Sequence, residues 1–446
     1  MDDPRNGLVG TLALLAATVA LLFAVALGAD EDGGAAAVSD VPPTVEPVAE
    51  LDPEALLELG VERTPVVARR IEEIRTLEFD EVPEPQISDV ARLRRIAERE
   101  LSKPKVQDDL EAADAELKLL GLLEPTDSLA EVSTDVTASA AAYYDPRRAG
   151  NLYLVGDSVP AGPALTEFVL AHELNHALED QVYTLPRSDG LSDDRVLAES
   201  ALVEGSATAL MTEYAQQHLD QLDLVAESSA LDSGSGDLPR FAEAEAMFTY
   251  LGGQRFVDEL MRIGGGWKLV DFAYERRLPA TTEQILHPEK YLEDEGALPI
   301  SPPPAPGPGW RPVDSGTLGE FATREILRED ATDIGADAAA AGWGGDSYRL
   351  FVSGADTECV EACRQSHSLG IAWRGDDASE AAELADALGE YVTRALAGEP
   401  GSAGAWQLDG GWAAVSERGD RVGLGLAPTE ELARRVAGAS DSVPAR

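Results

Sequence analysis

The sequence predicts an α+β protein: a mainly helical domain with a small sheet, then a smaller α+β domain, behind one N-terminal transmembrane helix. Three observations support this fold class. Residues 8–28 carry no charge, and apolar residues at helical spacing dominate residues 53–263. Strand-like runs become frequent only after a proline-rich stretch at residues 301–310. A change of hydrophobic period of this kind separates helical regions from sheets.

The segment from Leu8 to Gly28 is built of Leu, Ala, Val, Gly, Thr and Phe. As a helix it extends about 31 Å, which is the thickness of a bilayer core. Arg5 precedes it and acidic residues follow it, so the positive-inside rule predicts residues 29–446 outside the cell. A cleaved signal peptide, giving a secreted protein, is the alternative, because residues 26–28 resemble a cleavage site.

The charge of the chain is strongly negative, with 82 Asp and Glu against 35 Lys and Arg and a net charge of -47. The acidic residues are spread along the whole sequence. Such a charge repels nucleic acid and anionic lipid head groups, which excludes both as partners of the folded part. Because salt must screen the self-repulsion of such a surface, we expect a protein adapted to high salt.

The patterns divide the chain into five segments. Helices are expected at about 163–183, 194–219 and 238–263, and two short strands at 138–144 and 151–155. The predicted segments are an anchor or signal at 1–28, a flexible acidic stalk at 29–52, a first domain at 53–300, a proline-rich linker at 301–314 and a C-terminal α+β domain at 315–438.

The chemistry of the sequence is concentrated in His172-Glu173-Leu174-Asn175-His176. On a helix the two histidines are four residues apart, so both imidazoles leave the same face and can bind one Zn²⁺. Glu173 is rotated away from the metal and can take a proton from water that the metal activates. A chance match is the alternative, but the chain has only five histidines.

A catalytic zinc site needs a third protein ligand. The following helix offers Glu199 and Glu204, which differ by about 140° around the helix axis, so only one of them can face the metal. We expect Glu204 as the ligand, because the small residues Gly205 and Ala207 allow close packing on the first helix. Glu199 is then expected on a solvated face. Asp180 is expected either to orient a ligand or to lie on the helix surface.

The motif from His172 to Asp180, with Glu204 on a following helix, resembles the gluzincin class of zinc metallopeptidases, whose fold is the thermolysin-class zincin fold. The chain is more closely similar to surface proteins of haloarchaea and to related bacterial proteins with an HExxH domain. The gluzincin resemblance covers residues 60–300, and the wider one reaches about residue 430. The segments that carry it are Tyr143–Pro146, His172–Gln181, Ala201–Ala207, Thr281–Tyr291 and Ala341–Asp346.

The resemblance implies an active-site helix beneath a small sheet, whose edge strand pairs with an extended substrate. Residues 151–155 are the expected edge strand. Gluzincins often stabilise the oxyanion with a His or Tyr outside the zinc ligands, and His287 or Tyr291 would supply that donor. A structural loop around His287 is the alternative. The glycines near Trp343 are expected to form a turn between the domains.

Two hypotheses of function follow. The first is a zinc-dependent extracellular endopeptidase that acts on a peptide or protein substrate, with Zn²⁺ on His172, His176 and Glu204, Glu173 as general base and His287 as transition-state donor. The second is a catalytically inactive zincin-fold scaffold or binding protein of the cell surface. Cys359 and Cys363 are expected to form a disulfide, and a metal clip with His367 is the alternative.

Overall fold

The chain, seen in a computed structural model, is an α+β protein with two sheets. A sheet of three strands lies among the helices of the first region, and a sheet of seven strands forms the C-terminal region. The α+β class was therefore predicted correctly. The residues that the structure describes are 53–146, 150–156, 162–187, 190–229, 238–328, 334–354, 359 and 363–438.

The predicted fold class is wrong in its membrane-spanning element. No helix within the described ranges combines the length and the apolar character needed to cross a bilayer. The long helices at 163–183 and 193–218 have sufficient length, but acidic side chains such as Glu167 and Glu213 interrupt their apolar sequence. The predicted segment 8–28 lies outside the described residues, and the location of the protein stays a prediction.

The first region is built mainly of helices. Its strands are β1 (Gln86–Ser88), β2 (Ala142–Asp145) and β3 (Asn151–Val155). Its helices are α1 (Pro53–Arg75), α2 (Val90–Leu101), α3 (Pro104–Leu119), α4 (Leu129–Ala138), α5 (Pro163–Tyr183), α6 (Asp193–His218), α7 (Gln221–Ser229), α8 (Arg240–Met247), α9 (Gly253–Gly264), α10 (Lys268–Arg276), α11 (Thr282–Leu286) and α12 (Pro288–Leu292), with a π-helix at Phe248–Gly252 between α8 and α9.

The small sheet differs from the prediction in one important respect. Its order is β1-β3-β2, with β1 parallel and β2 antiparallel to β3. The expectation that residues 151–155 form the edge strand is therefore wrong, because both sides of β3 are already hydrogen-bonded. Strand β1 was not expected, since its three residues fall within a stretch of mainly helical pattern. Strands β2 and β3 both contact α5, and β2, at the edge of the sheet, packs on it more extensively.

Helices α5 and α6 form the centre of the first region, and both lie in its hydrophobic core. A close approach at Gly205 was expected between these two helices. The atoms nearest to Gly205 belong instead to Gly253 of α9, where an added Cβ would lie 2.1 Å from a backbone carbon. The small residue is thus required by the crossing of α6 with α9, which brings the π-helix beside the middle of α6.

The second region is an antiparallel sheet with helices packed on it. Its elements are β4 (Trp310–Gly316), α13 (Gly319–Leu327), α14 (Ile334–Ala341), β5 (Trp343–Ser353), β6 (His367–Gly375), α15 (Ala378–Arg394), β7 (Glu399–Pro400), β8 (Ala405–Leu408), β9 (Gly411–Arg418), β10 (Arg421–Ala427) and α16 (Glu430–Val436). The order of its strands is β4-β5-β6-β10-β9-β8-β7. The glycines near Trp343 lie in β5, so the expectation of an interdomain turn there is wrong.

The two regions share buried contacts. Helix α3 belongs to the first region in sequence, yet its Ala115 and Leu119 lie in the same hydrophobic cluster as Trp373 of the second sheet. The Asp194 carboxylate accepts hydrogen bonds from the N–H and the hydroxyl of Thr282, at 2.8 and 2.7 Å. The Thr282 hydroxyl in turn accepts the N–H of Phe321 in α13, at 3.1 Å. These bonds fix the first turns of α6, α11 and α13 against each other.

Candidate metal centre

The structure brings together the side chains of His172, His176 and Glu204. The Nε2 atom of His172 lies 3.1 Å from Nε2 of His176 and 3.1 Å from Oε2 of Glu204. The Nε2 atom of His176 lies 3.5 Å from the same Glu204 oxygen. All three side chains are buried. Three donor atoms from two helices therefore meet at one point inside the first region.

These distances fit a bound zinc ion. Tetrahedral ligands at about 2.0–2.1 Å from Zn²⁺ lie about 3.3 Å from one another, which is close to the three measured separations. Two imidazole nitrogens and one carboxylate oxygen are also the donor set of catalytic zinc sites such as the His₂Glu type. A hydrogen bond between the two histidines would give a partner to only two of the three donor atoms, whereas one metal ion would bind all three.

The backbone explains why these atoms meet. His172 and His176 lie one turn apart on α5, so their rings leave the same face, and Glu204 lies in the buried middle of α6. Helix α5 is buried from Leu165 to Glu179, which places the polar motif in the interior and not on a surface. Buried polar groups require partners, and the side chains of α6 supply them here.

Glu173 lies beside the three donors and outside their group. One oxygen of its carboxylate accepts the backbone N–H of Tyr144 in β2, at 2.9 Å. Its exposed fraction is 2%. Burial raises the pKa of Glu173 above its ordinary value, although His172 and His176 nearby lower it. The edge strand of the small sheet thus fixes the orientation of this carboxylate.

The electrostatics of the group favour a cation. Burial alone would lower the pKa of His176, but the Glu204 carboxylate outweighs burial and raises it to about 9. Burial alone would raise the pKa of Glu204, but the two imidazoles lower it to about 2. A carboxylate that stays ionised in the interior needs positive charge beside it, and either a proton or a metal ion provides that charge.

A second layer of side chains holds the motif from α1. Arg75 donates to Oδ1 of Asn175 at 2.8 Å and pairs with Glu179 at 2.5 Å. Arg75 and Glu179 are both fully buried, and Arg75 also pairs with Asp271 at 3.1 Å. The hydroxyl of Tyr274 donates to Glu179 at 2.8 Å. The face of α5 that bears Asn175 and Glu179 is therefore held by a connected polar network.

Tyr250 is a site residue that the sequence did not reveal. Its ring centroid lies 5.8 Å from that of His172, and its hydroxyl is close enough to the Glu204 carboxylate to be influenced by its charge. Burial, followed by the charges of Glu204 and Glu173, raises the pKa of Tyr250 well above its ordinary value. Tyr250 lies in the π-helix, a local widening that often occurs at functional sites. No spacing rule connects it to the motif, which is why sequence reasoning missed it.

The structure does not place His287 in this group. Nε2 of His287 lies 2.9 Å from a carboxylate oxygen of Glu320 in α13, and that contact, more than any other cause, raises the pKa of His287. The hydroxyl of Tyr291 donates to the carbonyl of Arg277 at 2.7 Å, and Tyr291 is buried. Both residues proposed as oxyanion donors thus have other partners, and the catalytic role of His287 stays a prediction.

The other carboxylates of α5 and α6 have partners of their own. Glu199 was expected to be solvated, which is wrong: its side chain is buried and pairs with Arg195 at 2.8 Å. Asp180 accepts the hydroxyl of Tyr144 at 2.8 Å and does not orient a histidine. Within the described residues, the Nδ1 atoms of His172 and His176 have no hydrogen-bond partner. No side chain or backbone carbonyl of the described residues therefore gives these nitrogens the support that zinc-binding histidines often receive.

The two cysteines lie far from this centre, in the C-terminal region. Cys359 and Cys363 form a disulfide, with their Cα atoms 5.3 Å apart. A disulfide leaves no thiolate to bind a metal. The disulfide predicted from the spacing is therefore confirmed, and the alternative metal clip with His367 is excluded.

Comparison with known proteins gives information on the C-terminal region alone. A family described as a domain of unknown function (DUF8575) matches residues 310–437. This match covers the seven-stranded sheet and its helices, and it contains none of the three side chains His172, His176 and Glu204. No curated protein and no solved structure matches the chain. The gluzincin resemblance, the zinc and the adaptation to high salt therefore stay predictions.

Proposed function

We propose that this protein is a zinc-dependent peptide hydrolase whose metal is held by His172, His176 and Glu204. The observation that supports it most strongly is the meeting of two Nε2 atoms and one carboxylate oxygen at separations of 3.1, 3.1 and 3.5 Å. Zinc in such a site supplies Lewis-acid activation of a water molecule and of a substrate carbonyl. The remaining steps depend on the side chains around it.

Glu173 is the general base in this proposal. It follows His172 directly, so its side chain leaves α5 beside the donor group and not within it. The Tyr144 N–H holds one carboxylate oxygen, which leaves the other to accept a proton from water. Tyr250 fills the space next to His172, with its hydroxyl close to the Glu204 carboxylate. The substrate class is a peptide, as the gluzincin resemblance implies.

A second function, a metal-stabilised scaffold without catalysis, is supported by the burial of the site. The four side chains at the centre of the site are His172, Glu173, His176 and Glu204. The most exposed of them is His176, and its exposed fraction is only 8%. A peptide must reach Glu173, whose exposed fraction is 2%. A structural zinc site would need no such access, and its metal would contribute to folding directly.

One experiment separates the two functions. Zinc content and hydrolysis of a broad peptide library are measured at high salt for the parent protein and for Glu173→Gln, with Glu98→Gln as the control. Glu98 is an exposed glutamate of α2. We expect Glu173→Gln to retain zinc and lose activity by about 10²–10⁴-fold, because the base is removed. We expect Glu98→Gln to match the parent.

Two results would contradict the peptidase. In the first, Glu173→Gln cleaves peptides as fast as the parent, which means that Glu173 is not the base. In the second, the parent binds zinc, cleaves nothing in the library and unfolds at lower temperature when a chelator removes the metal. The second result supports the scaffold.

A further inference from the structure

A cavity of about 60 Å³ lies where the two regions meet, apart from the metal centre. Its wall includes Asp193 at the start of α6, and Glu204 follows 11 residues later on the same helix, about 16 Å further along the axis. The wall is formed by α3, α6, α8, β4, β5 and α13. The carboxylates that line it are Asp109, Glu116, Asp193, Glu245 and Asp314.

The wall of this cavity carries carboxylates but, among the described residues, no Lys, Arg or His. Glu116 points into the cavity with an exposed fraction of 7%, and no donor of the described part of the chain bonds its carboxylate. The Tyr348 hydroxyl contacts Oδ2 of Asp193 at 3.1 Å, while the buried Oδ1 has no hydrogen-bond partner in the part of the chain that the structure describes. Buried carboxylates of this kind are costly without a cation.

Neighbouring negative charges raise the pKa values of the cavity carboxylates in addition to burial. Burial, together with the charges of Asp314 and other acidic neighbours, raises the pKa of Asp193 to about 7. Burial and the charge of Asp193 raise the pKa of Glu245 to about 8. The carboxylates therefore compete for protons near neutral pH, and a bound cation would relieve their repulsion.

The carboxylates that the structure describes around the cavity do not form a compact group of three. In the described residues, the acidic group whose oxygens lie within 4.8 Å of one another is Glu283, Glu295 and Asp376, and Lys290 occupies it. The described wall of the cavity contains no such group. A bare Ca²⁺ ion, with ligands at about 2.3–2.6 Å, would need one. A ligand of this cavity is therefore expected to carry its positive charge at more than one position.

The rest of the wall is apolar, with Leu117, Leu197, Phe241 and Ile326 among its residues. A volume of about 60 Å³ holds roughly four to six water molecules, and thus an aliphatic chain with a similar number of heavy atoms. Methylene groups would bury apolar surface against the leucines and the phenylalanine. A cationic group at each end of the chain would allow contact with two different carboxylates.

We propose that this cavity is a binding site for a small aliphatic diamine, whose two ammonium groups contact Glu116 and Asp193 and whose methylene chain lies against the apolar wall. This site is independent of zinc binding and of the proposed hydrolysis. Because its wall comes from both regions, a bound diamine stabilises their association.

The test is a calorimetric titration of the full chain with 1,4-diaminobutane in concentrated KCl at fixed ionic strength. Butylamine, which has one ammonium group, and CaCl₂ are titrated in parallel. We expect saturable binding of the diamine with one site per chain and at least tenfold weaker binding of butylamine. Glu116→Gln should raise the dissociation constant of the diamine at least tenfold, while Glu98→Gln should leave it unchanged. Asp193→Asn serves the same purpose if Glu116→Gln does not fold.

Three results would overturn the proposal. Equal affinity for the diamine and for butylamine would show that two charges are not recognised. Equal affinity of the parent and both cavity variants would place binding elsewhere on the acidic surface. Saturable Ca²⁺ binding that requires Glu116, without diamine binding, would make the cavity a metal site.

Discussion

Helices α5 and α15 are both long, but different kinds of contact hold them in place. Helix α15 begins with a capping box, in which Asp377 accepts the N–H groups of Ser379 and Glu380 and Glu380 accepts the N–H of Asp377. The N-cap of helix α5 is Gly162, which offers no side chain. Its Leu165 N–H is accepted instead by Glu227 of α7, at 2.7 Å. The cap of α15 comes from neighbouring residues in the sequence, whereas the cap of α5 comes from a distant helix and is a tertiary contact.

The buried side chains of the two helices differ in the same way. Those of α15 are apolar or aromatic, such as Leu384 and Tyr391. Those of α5 include His172, His176 and Glu179, whose partners come from α1, α6 and α10. A helix of the first kind is stabilised by its own hydrophobic pattern, which buries one apolar face against the core. A helix of the second kind depends on several distant residues, which is typical of a functional site.

The largest effect is expected where the polar contacts of α5 meet. His176→Ala removes one of three donors, so zinc content should fall from about one per chain to nearly none. His218→Ala is the matched control, because His218 is a half-buried histidine of α6 that contacts Tyr214 and not the motif. Metal analysis of the purified proteins measures both. Unchanged zinc in His176→Ala would show that the metal binds elsewhere.

A smaller effect is expected from the network behind the motif. Arg75→Met leaves Glu179 buried without its cation, which should lower the free energy of unfolding by about 3–5 kcal/mol. The matched control is Arg94→Met, because Arg94 pairs with Asp135 at the surface, where a pair contributes about 0–1 kcal/mol. Urea unfolding at high salt gives both values. Equal losses in the two variants would mean that burial of the Arg75 pair has no energetic importance.

This contrast explains which parts of the fold the sequence could predict. The bounds of α5, Pro163 to Tyr183, agree with the expected helix, because its apolar pattern is local. The grouping of His172 and His176 follows from helix geometry alone. The partners that come from distant elements could not be predicted: Tyr250 in the π-helix, the Tyr144 N–H on Glu173, and Glu227 at the first turn of α5. Their contacts depend on how the helices pack, which no short motif specifies.

The tertiary cap of α5 should contribute less than the Arg75 network. Glu227→Ala leaves the Leu165 N–H buried without an acceptor, at a cost of about 1–3 kcal/mol. Glu227→Gln keeps an acceptor oxygen in the same place, so its free energy of unfolding should fall less than that of Glu227→Ala. Gly162 has no space for a side chain, since an added Cβ would lie 2.1 Å from Cδ of Glu227. Equal losses in the Ala and Gln variants would assign the effect to packing and not to the cap.

The smallest effect is expected at the local cap of α15. Asp377→Ala removes the acceptor for two N–H groups near solvent, where water can replace it, so the loss should be about 1 kcal/mol. Zinc content and hydrolysis should not change, because α15 packs in the hydrophobic cluster of the second sheet and α5 in that of the first region.

For the same reason the losses in a double variant of Asp377→Ala with Glu227→Ala should add to within about 0.5 kcal/mol, as they do for sites without shared partners. A larger deviation in denaturant unfolding would show that the two regions are coupled through their shared contacts, and the local cap would then influence the metal centre as well.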